Sequence, residues 1–198
     1  MSVPLKKTLR LVVLASGEGT LLQALIDAEA EGRLAGWIVA VGSDRENTRA
    51  EQRAKTAGIP TFVRTLHKDL SRADWDLQVA DAIAAYQPDF IICAGFMKIL
   101  GPVTLAAYPE RIINSHPSLL PLHPGAHAVR DALEAGEEVS GCTIFTIDAG
   151  VDTGEIIQQW PVPIMEDDTE ATLHERIKKV ERKALVEVIN ELASGDVS

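Results

Sequence analysis

Short apolar runs alternate along the chain with longer stretches in which apolar residues recur every three or four positions. The first run, LRLVVLA at residues 9–15, is apolar apart from Arg10, as expected of a strand buried in a parallel sheet. From Thr20 the spacing becomes that of an amphipathic helix, which we expect to extend to Glu31. The same patterns predict strands at residues 37–43, 60–65, 89–95 and 111–116, and helices at residues 47–58, 71–87, 126–136 and 169–192.

The order of these elements predicts the type of sheet. Helical stretches separate the first strands, which favours right-handed βαβ units and parallel pairing. Two later β-rich runs, residues 140–147 and 154–164, are joined by a turn-rich connector too short for a helical crossover, so we expect them to pair antiparallel. We therefore predict an α/β fold with a single domain over residues 1–198, built on a Rossmann-like, mixed, mostly parallel sheet flanked by helices.

Composition narrows the choice of partners and location. The 29 acidic residues outnumber the 19 basic ones among 198 residues, and this net charge of −10 argues against a nucleic-acid partner. The basic start of the chain is followed by an apolar run too short for a signal peptide, and no apolar stretch is long enough to span a membrane. Two cysteines are too few for a disulfide framework. We therefore expect no membrane partner and a cytoplasmic location.

The turn after the first strand, SGEGT at residues 16–20, is the first candidate for binding chemistry. Glycines at a strand end permit a sharp turn and present backbone N–H groups at a helix N-terminus, which favours an anion. Leu22 stands where a dinucleotide fingerprint has glycine, and no Gly-Lys-Ser/Thr follows, so the turn suits a single phosphate better than a dinucleotide. A plain strand-to-helix turn explains the motif equally well.

Asn114 and His116 are the candidates for catalysis. They alternate on a predicted strand, so their side chains project from one face, and Pro117 ends that strand at the sheet edge. The amide can donate to a developing oxyanion, and the imidazole can donate a proton or hold positive charge. Asp148 and Asp152 lie in the later connector, and a carboxylate near the imidazole would favour its charged form. Taken alone, these are also ordinary strand-exit and turn residues.

The evidence for other binding or catalytic sites in the sequence is weaker. The apolar segment 94–100 at the end of a predicted strand could line a slot for a flat ring, although such runs more often belong to the core. His116, His123 and His127 do not follow a ligand spacing and prolines intervene, so we expect no metal. No serine lies in a G-x-S-x-G elbow, which disfavours a serine hydrolase.

Taken together, the segments resemble the phosphoribosylglycinamide formyltransferase family, the folate-dependent formyltransferases of purine synthesis. The resemblance runs from end to end, with the loop at 16–20, AGFMKIL at 94–100, NSHPSLLP at 114–121, and Asp152 followed by Gly154. It implies direct transfer of the formyl group of 10-formyltetrahydrofolate, a co-substrate, to the amine of glycinamide ribonucleotide in purine (IMP) biosynthesis. The reaction would pass through a tetrahedral intermediate and need no metal.

The resemblance also implies roles for individual residues. The catalytic group would be Asn114, His116 and Asp152. The nucleotide would be bound by Gly17, Gly19, Thr20, Leu21 and Glu181. The folate would be surrounded by Arg72, Met97, Lys98, Ile99, Leu100, Asn114, Asp148 and Val151. The family often has Ser-Asn where this chain has Thr20-Leu21, so backbone N–H groups take a larger share here, and Glu18 adds a like charge near the phosphate.

Relatives within the same group act on other acceptors. Those that formylate methionyl-tRNA add a C-terminal RNA-binding domain, and those that hydrolyse the formyl-folate usually carry an N-terminal regulatory domain. The layout of this chain therefore leads us to expect the small nucleotide acceptor and a single formyltransferase catalytic domain. A formate-releasing hydrolase and a non-enzymatic nucleotide- or folate-binding domain are the alternatives. The sequence leaves monomer and homodimer open.

Overall fold

The computed structural model describes residues 8–195, and within that range the chain forms seven strands and six helices. The strands are β1 (Leu9–Leu14), β2 (Gly36–Ser43), β3 (Thr61–Val63), β4 (Phe90–Cys93), β5 (Ile112–His116), β6 (Val139–Thr146) and β7 (Ile156–Pro163). The helices are α1 (Thr20–Ala30), α2 (Arg49–Thr56), α3 (Arg72–Ala84), α4 (Pro102–Ala107), α5 (Ala128–Glu134) and α6 (Glu170–Ser194). The basic start and the two ends of the predicted domain lie outside the described residues.

The strands form one sheet in the order β3-β2-β1-β4-β5-β6-β7. The pairings from β3 through β5 are parallel, whereas β6 pairs antiparallel with both β5 and β7. The predicted mixed, mostly parallel sheet is therefore confirmed, including the antiparallel pair formed by the last two strands. The parallel strands bring the turns after β1, β4 and β5 to one edge of the sheet, where ligands of such folds bind.

The two faces of the sheet carry separate cores. On β1, Leu11 and Val13 pack with α1 and α6, while Val12 and Leu14 pack with α3 on the other face. This burial on both sides explains why β1 reads as a continuous apolar run. On β5 the same alternation places Ile113 towards α6 and Ile112 towards α3, which decides where the polar residues after them point.

Helix α4 is the one element of residues 8–195 that the apolar periodicity did not predict. It has six residues, begins with a proline, and depends on a distant side chain at its N-terminus. The buried Asp76 carboxylate, on α3, accepts hydrogen bonds from the N–H of Gly101 at 2.9 Å and of Val103 at 2.7 Å. A capping group 25 positions away leaves no local signal. The cap anchors the segment that follows β4.

Candidate active site

Asn114, His116 and Asp152 lie together at the carboxyl end of β5. The first two project from the α3 face of the sheet, as their alternation predicts. The connector between β6 and β7 brings Asp152 to them, and its Oδ2 lies 3.4 Å from His116 Nδ1. The same oxygen accepts a 2.8 Å hydrogen bond from the N–H of Gly125. Asp152 has a φ of 54°, a left-handed conformation that aspartate and asparagine tolerate better than most residues.

The second ring nitrogen of His116 is also held by the protein. Nε2 lies 2.8 Å from the carbonyl oxygen of His123, which can only accept, so this nitrogen carries a hydrogen and donates. Both ring nitrogens thus face acceptor oxygens, and a protonated imidazole can donate to both. The side chain is 6% exposed. Both ring nitrogens of His116 are therefore already engaged by the protein, and the ring is fixed against Asp152.

A cavity of about 130 Å³ opens beside the trio. Its wall combines most of the residues that the resemblance assigns to folate with several that it does not: Cys93, Phe96, Met97, Lys98, Ile99, Leu100, Asn114, Phe145, Ile147, Asp148, Gly150, Val151 and Asp152. The cavity is smaller than typical pockets for small molecules, which hold about 300–1,000 Å³. However, Met97, Ile99 and Val151 are 67%, 60% and 54% exposed at its rim, so apolar surface continues beyond it.

Arg72 does not line this cavity but supports its wall from behind. Its guanidinium lies over the ring of Trp75, 4.9 Å from the ring centre. Its Nη2 donates a 2.5 Å hydrogen bond to the carbonyl of Ile99. Arg72 is thus the one residue assigned to folate by the resemblance that does not line the cavity. It contacts the wall only through the backbone of the 97–100 segment.

The thiol of Cys93, also on the cavity wall, has low reactivity. It lies at the end of β4 and is 3% exposed. Burial raises the pKa of the Cys93 thiol to about 12, because the charged thiolate is poorly solvated there. At neutral pH this residue is therefore the neutral thiol, which is a poor nucleophile. A covalent route through Cys93 is disfavoured.

The predicted phosphate loop lies at the same sheet edge. Gly19 has a φ of 66°, and a side chain there would meet the backbone of α2 at Ala50, 2.7 Å away, so only glycine fits without strain. The loop is tied to the cavity wall because Ser16 Oγ accepts a 2.8 Å hydrogen bond from the N–H of Met97. The structure thus places residues 17–21 next to the 97–100 segment, although the two are far apart in sequence.

Glu181 lies on the opposite face of the sheet from the cavity. It belongs to α6 and is 8% exposed. Burial raises its pKa, and a hydrogen bond with Ser115 opposes part of that shift. Ser115 is the residue between Asn114 and His116, so alternation along β5 directs it towards α6. The end of β5 therefore has one face towards the cavity, with the trio, and a second face with Glu181.

A wider cleft of about 760 Å³ lies at the carboxyl end of β3. Its lining includes Glu46, Arg64, His67 and Asp69, and it contains none of the residues singled out from the sequence. The charges there are of mixed sign, and Asn114, His116 and Asp152 do not line this cleft. We place the candidate active site at the smaller cavity because the reactive side chains converge there.

Two functional contacts escape sequence reasoning because they use backbone atoms. The carbonyl of His123 holds the imidazole, and the N–H of Gly125 holds the carboxylate of Asp152. Both residues have positive φ, 51° and 92°, so they belong to a tightly turned segment whose path no side-chain pattern indicates. The glycine itself was the one available signal, since a glycine directly after a proline, here Pro124, marks a turn.

The fold is that of the formyl transferases. Residues 9–189 match the family model described as formyl transferase, and the chain belongs to this family. Among its relatives is the phosphoribosylglycinamide formyltransferase of Mycobacterium tuberculosis, which is 48% identical over 198 residues, covering 100% of this chain and 91% of the relative. The Escherichia coli protein of the same name is 37% identical over 94% of this chain and 88% of its own length.

Solved structures give the same result. The crystal structure of glycinamide ribonucleotide transformylase 1 from Symbiobacterium toebii superposes with a TM-score of 0.93 at 40% identity, covering 98% of this chain and 92% of that one. These similarities confirm the family resemblance and the fold predicted from the sequence. In residues 8–195, no helix is long and apolar enough to cross a membrane, and no three His, Cys, Asp or Glu side chains are grouped as metal ligands.

Proposed function

We propose that this chain transfers the formyl group of 10-formyltetrahydrofolate to the amine of glycinamide ribonucleotide, as a single catalytic domain. The observation that carries the proposal is the convergence of Asn114, His116 and Asp152 beside an apolar cavity, with His116 Nδ1 3.4 Å from Asp152 Oδ2. Relatives sharing 48% and 37% of their residues with this chain are named for this activity. The folate would lie against residues 97–100 and 148–152, and the phosphate on residues 17–21.

The chemistry requires one bond to form and one to break. The neutral amine of the acceptor attacks the formyl carbon, forming a C–N bond and a tetrahedral oxyanion. The Asn114 amide, on the cavity wall, donates a hydrogen bond to that oxyanion. The charged His116, held by Asp152 and the His123 carbonyl, stabilises the negative charge electrostatically. The bond to N10 of the folate then breaks, and a proton from the amine reaches N10, a transfer that a water molecule can relay.

The two substrates would meet at the end of β5. The folate approaches from the cavity side, and Glu181 together with the loop at 17–21 would hold the ribose or glycinamide part and the phosphate of the acceptor. Holding both reactants in one cleft supplies the positional part of the rate enhancement. We keep a cytoplasmic location as a prediction, in line with the two buried free thiols, and a homodimer as an open alternative to a monomer.

The test is product formation by the purified chain. With 10-formyltetrahydrofolate and glycinamide ribonucleotide we expect formylated nucleotide and tetrahydrofolate in equal amounts. Formate released at the same rate without the nucleotide would instead identify a hydrolase. His116→Asn should abolish transfer, whereas His67→Asn, which changes an exposed histidine outside the site, should preserve it. Equal activity of both variants would point to a contaminating host enzyme or to a different site.

A further inference from the structure

The loop at 16–20 is supported by helix α2, and the support decides which way its peptide groups face. The carbonyl of Gly17 accepts a 3.0 Å hydrogen bond from the N–H of Ala50, in the first turn of α2. The carbonyl of Glu18 accepts a 2.8 Å hydrogen bond from Arg53 Nε, one turn further along. Two consecutive carbonyls of the loop are therefore held towards α2.

This arrangement leaves the loop's N–H groups on the other side. In a trans peptide the C=O and N–H point in opposite directions, so the N–H groups of Glu18 and Gly19 face away from α2. Thr20 and Leu21 begin α1, where the first N–H groups have no partner within the helix. None of these four N–H groups has an acceptor within residues 8–195. They form one donor surface for an anion.

Arg53 is itself held in place. Its Nη1 donates a 3.0 Å hydrogen bond to Gln23 Oε1, and Gln23 Nε2 donates a 2.8 Å hydrogen bond to Asp27 Oδ1 on the same helix. The guanidinium thus bridges α2, the loop and α1. No carboxylate in the described part of the chain lies within ion-pair distance of it, so its charge stays available to the loop.

We propose that Arg53 is a positioning residue for the acceptor's phosphate: it fixes the Glu18 carbonyl and so aims the loop's N–H groups at the anion. The inference rests on the proposed function, since it names what holds the same loop in shape. It also accounts for Leu21, where the family often has Asn, because a loop whose backbone is held by α2 needs no side-chain donor at that position.

The experiment compares Arg53→Met with Arg49→Met. Both remove one positive charge from α2, but Arg49 is exposed and makes no contact with the loop. We expect Arg53→Met to raise the KM for glycinamide ribonucleotide about tenfold, as for the loss of one charge-assisted hydrogen bond, with kcat and the KM for the folate within about twofold. Arg49→Met should stay near wild type. Equal effects of the two variants, or a matching rise in the folate KM, would overturn the inference.

A second acceptor substrate isolates the contribution of the phosphate to binding. Glycinamide ribonucleoside, which lacks the 5′-phosphate, should be used equally well by wild type and Arg53→Met. An equal loss with nucleotide and nucleoside would mean that Arg53 acts elsewhere. If Arg53→Met does not fold, Gln23→Met, which frees only Nη1, should show a smaller rise in the same KM; no rise would refute the bridge.

A binding measurement separates failure of the proposed function from failure of the inference about Arg53. If the wild type forms no formylated product, calorimetry with ribose 5-phosphate still reports on the loop. Weaker binding to Arg53→Met than to Arg49→Met would then support the role of Arg53 without the activity. Equal binding to both variants would overturn it.

Discussion

The loop at 16–21, which we propose binds the phosphate, and the cavity wall at 97–100 and 148–152 are built in different ways, although Ser16 links them directly. The loop offers backbone N–H groups whose direction is set by the hydrogen bonds of its carbonyls to α2, and its side chains have little part in the proposed contact. The wall offers side chains from two segments about 50 positions apart, grouped around Asn114 and Asp152. A site built from backbone atoms should keep its affinity when side chains change and lose it when the path of the chain changes. A wall built from side chains should lose affinity with each substitution of a lining residue.

The largest effect is expected where the wall meets the reacting atoms, at Asp152. Asp152→Asn keeps the size, tolerates the left-handed backbone and can still accept from Gly125, but it removes the negative charge beside His116. We expect kcat to fall by about 10²–10³, with both KM values changed much less, because the lost interaction belongs to the transition state.

Steady-state kinetics at neutral pH measures this effect. Asp167→Asn, which alters an exposed aspartate outside the site, should leave kcat unchanged. A near-normal kcat for Asp152→Asn would reduce Asp152 to a turn residue and would leave Asn114 and His116 without an electrostatic partner.

Gly19→Ala tests the backbone-built side. The new Cβ would lie 2.7 Å from Ala50 Cα, and φ is +66°. We expect the loop to shift, the KM for the nucleotide to rise about tenfold or more, and the free energy of unfolding to fall by roughly 1–3 kcal/mol.

Gly32→Ala is the matched control for this substitution. Gly32 has nearly the same φ, +70°, but nothing lies within 4 Å of its Cβ position. It should show the conformational cost alone, with normal KM values. Kinetics and urea unfolding of both variants separate the effects. A normal nucleotide KM for Gly19→Ala would show that the loop path does not matter for the acceptor.

Ile99→Asp tests the side-chain wall. Ile99 is 60% exposed at the cavity rim, so the folded state should accept a polar residue, while an apolar ring would lose its contact. We expect the KM for the folate to rise about tenfold and the nucleotide KM to stay the same. Ile156→Asp, also exposed at 42%, should leave both unchanged. An unaltered folate KM would place the folate elsewhere.

On the second face of β5, the raised pKa of Glu181 leads us to expect that the stability of the protein changes with pH. Its raised pKa means that the folded state binds the proton more tightly than the unfolded chain. Its contribution to stability is therefore complete below the unfolded pKa and is lost as pH rises through the folded pKa. Glu181→Gln should gain stability relative to wild type from acidic to neutral pH. Urea unfolding at several pH values measures this, and a difference that does not vary with pH would contradict it.

The smallest effect is expected at Glu18. The carboxylate is on the loop but exposed, so solvent and salt screen its repulsion of a phosphate. Glu18→Asn should lower the KM for the nucleotide by roughly two- to threefold at low ionic strength, and less at high salt. A KM that is unchanged at both salt concentrations would indicate that the side chain points away from the anion.

The sequence predicted the regular elements well because they follow from apolar periodicity. The continuous run of β1 and the alternation in β5 both indicate their burial, and the sheet order matches the predicted βαβ units. Helix α4 was missed because its cap, Asp76, comes from another helix. The end of α3 differs from the prediction for a local reason: the helix ends at Ala84, short of Pro88, and Gln87 between them has a φ of 49°.

The contacts of the site that use backbone atoms could not be predicted from the sequence. Asn114 and His116 could be paired by strand alternation, the connector offered Asp148 and Asp152 as carboxylate partners, and the family resemblance singled out Asp152. The His123 carbonyl, the Gly125 N–H and the Arg53 bridge depend on how loops turn in three dimensions, which residue types alone do not indicate. These contacts orient the predicted side chains.

The most direct test of the account is a crystal structure of the chain with glycinamide ribonucleotide and a folate analogue that cannot transfer its formyl group. The account predicts the phosphate within hydrogen-bond distance of the N–H groups of residues 18–21, with Arg53 still bound to the Glu18 carbonyl. It predicts the folate ring between residues 97–100 and 148–152, and the formyl-like carbon beside Asn114. A phosphate bound by side chains away from this loop, or a folate ring in the cleft at the end of β3, would contradict it.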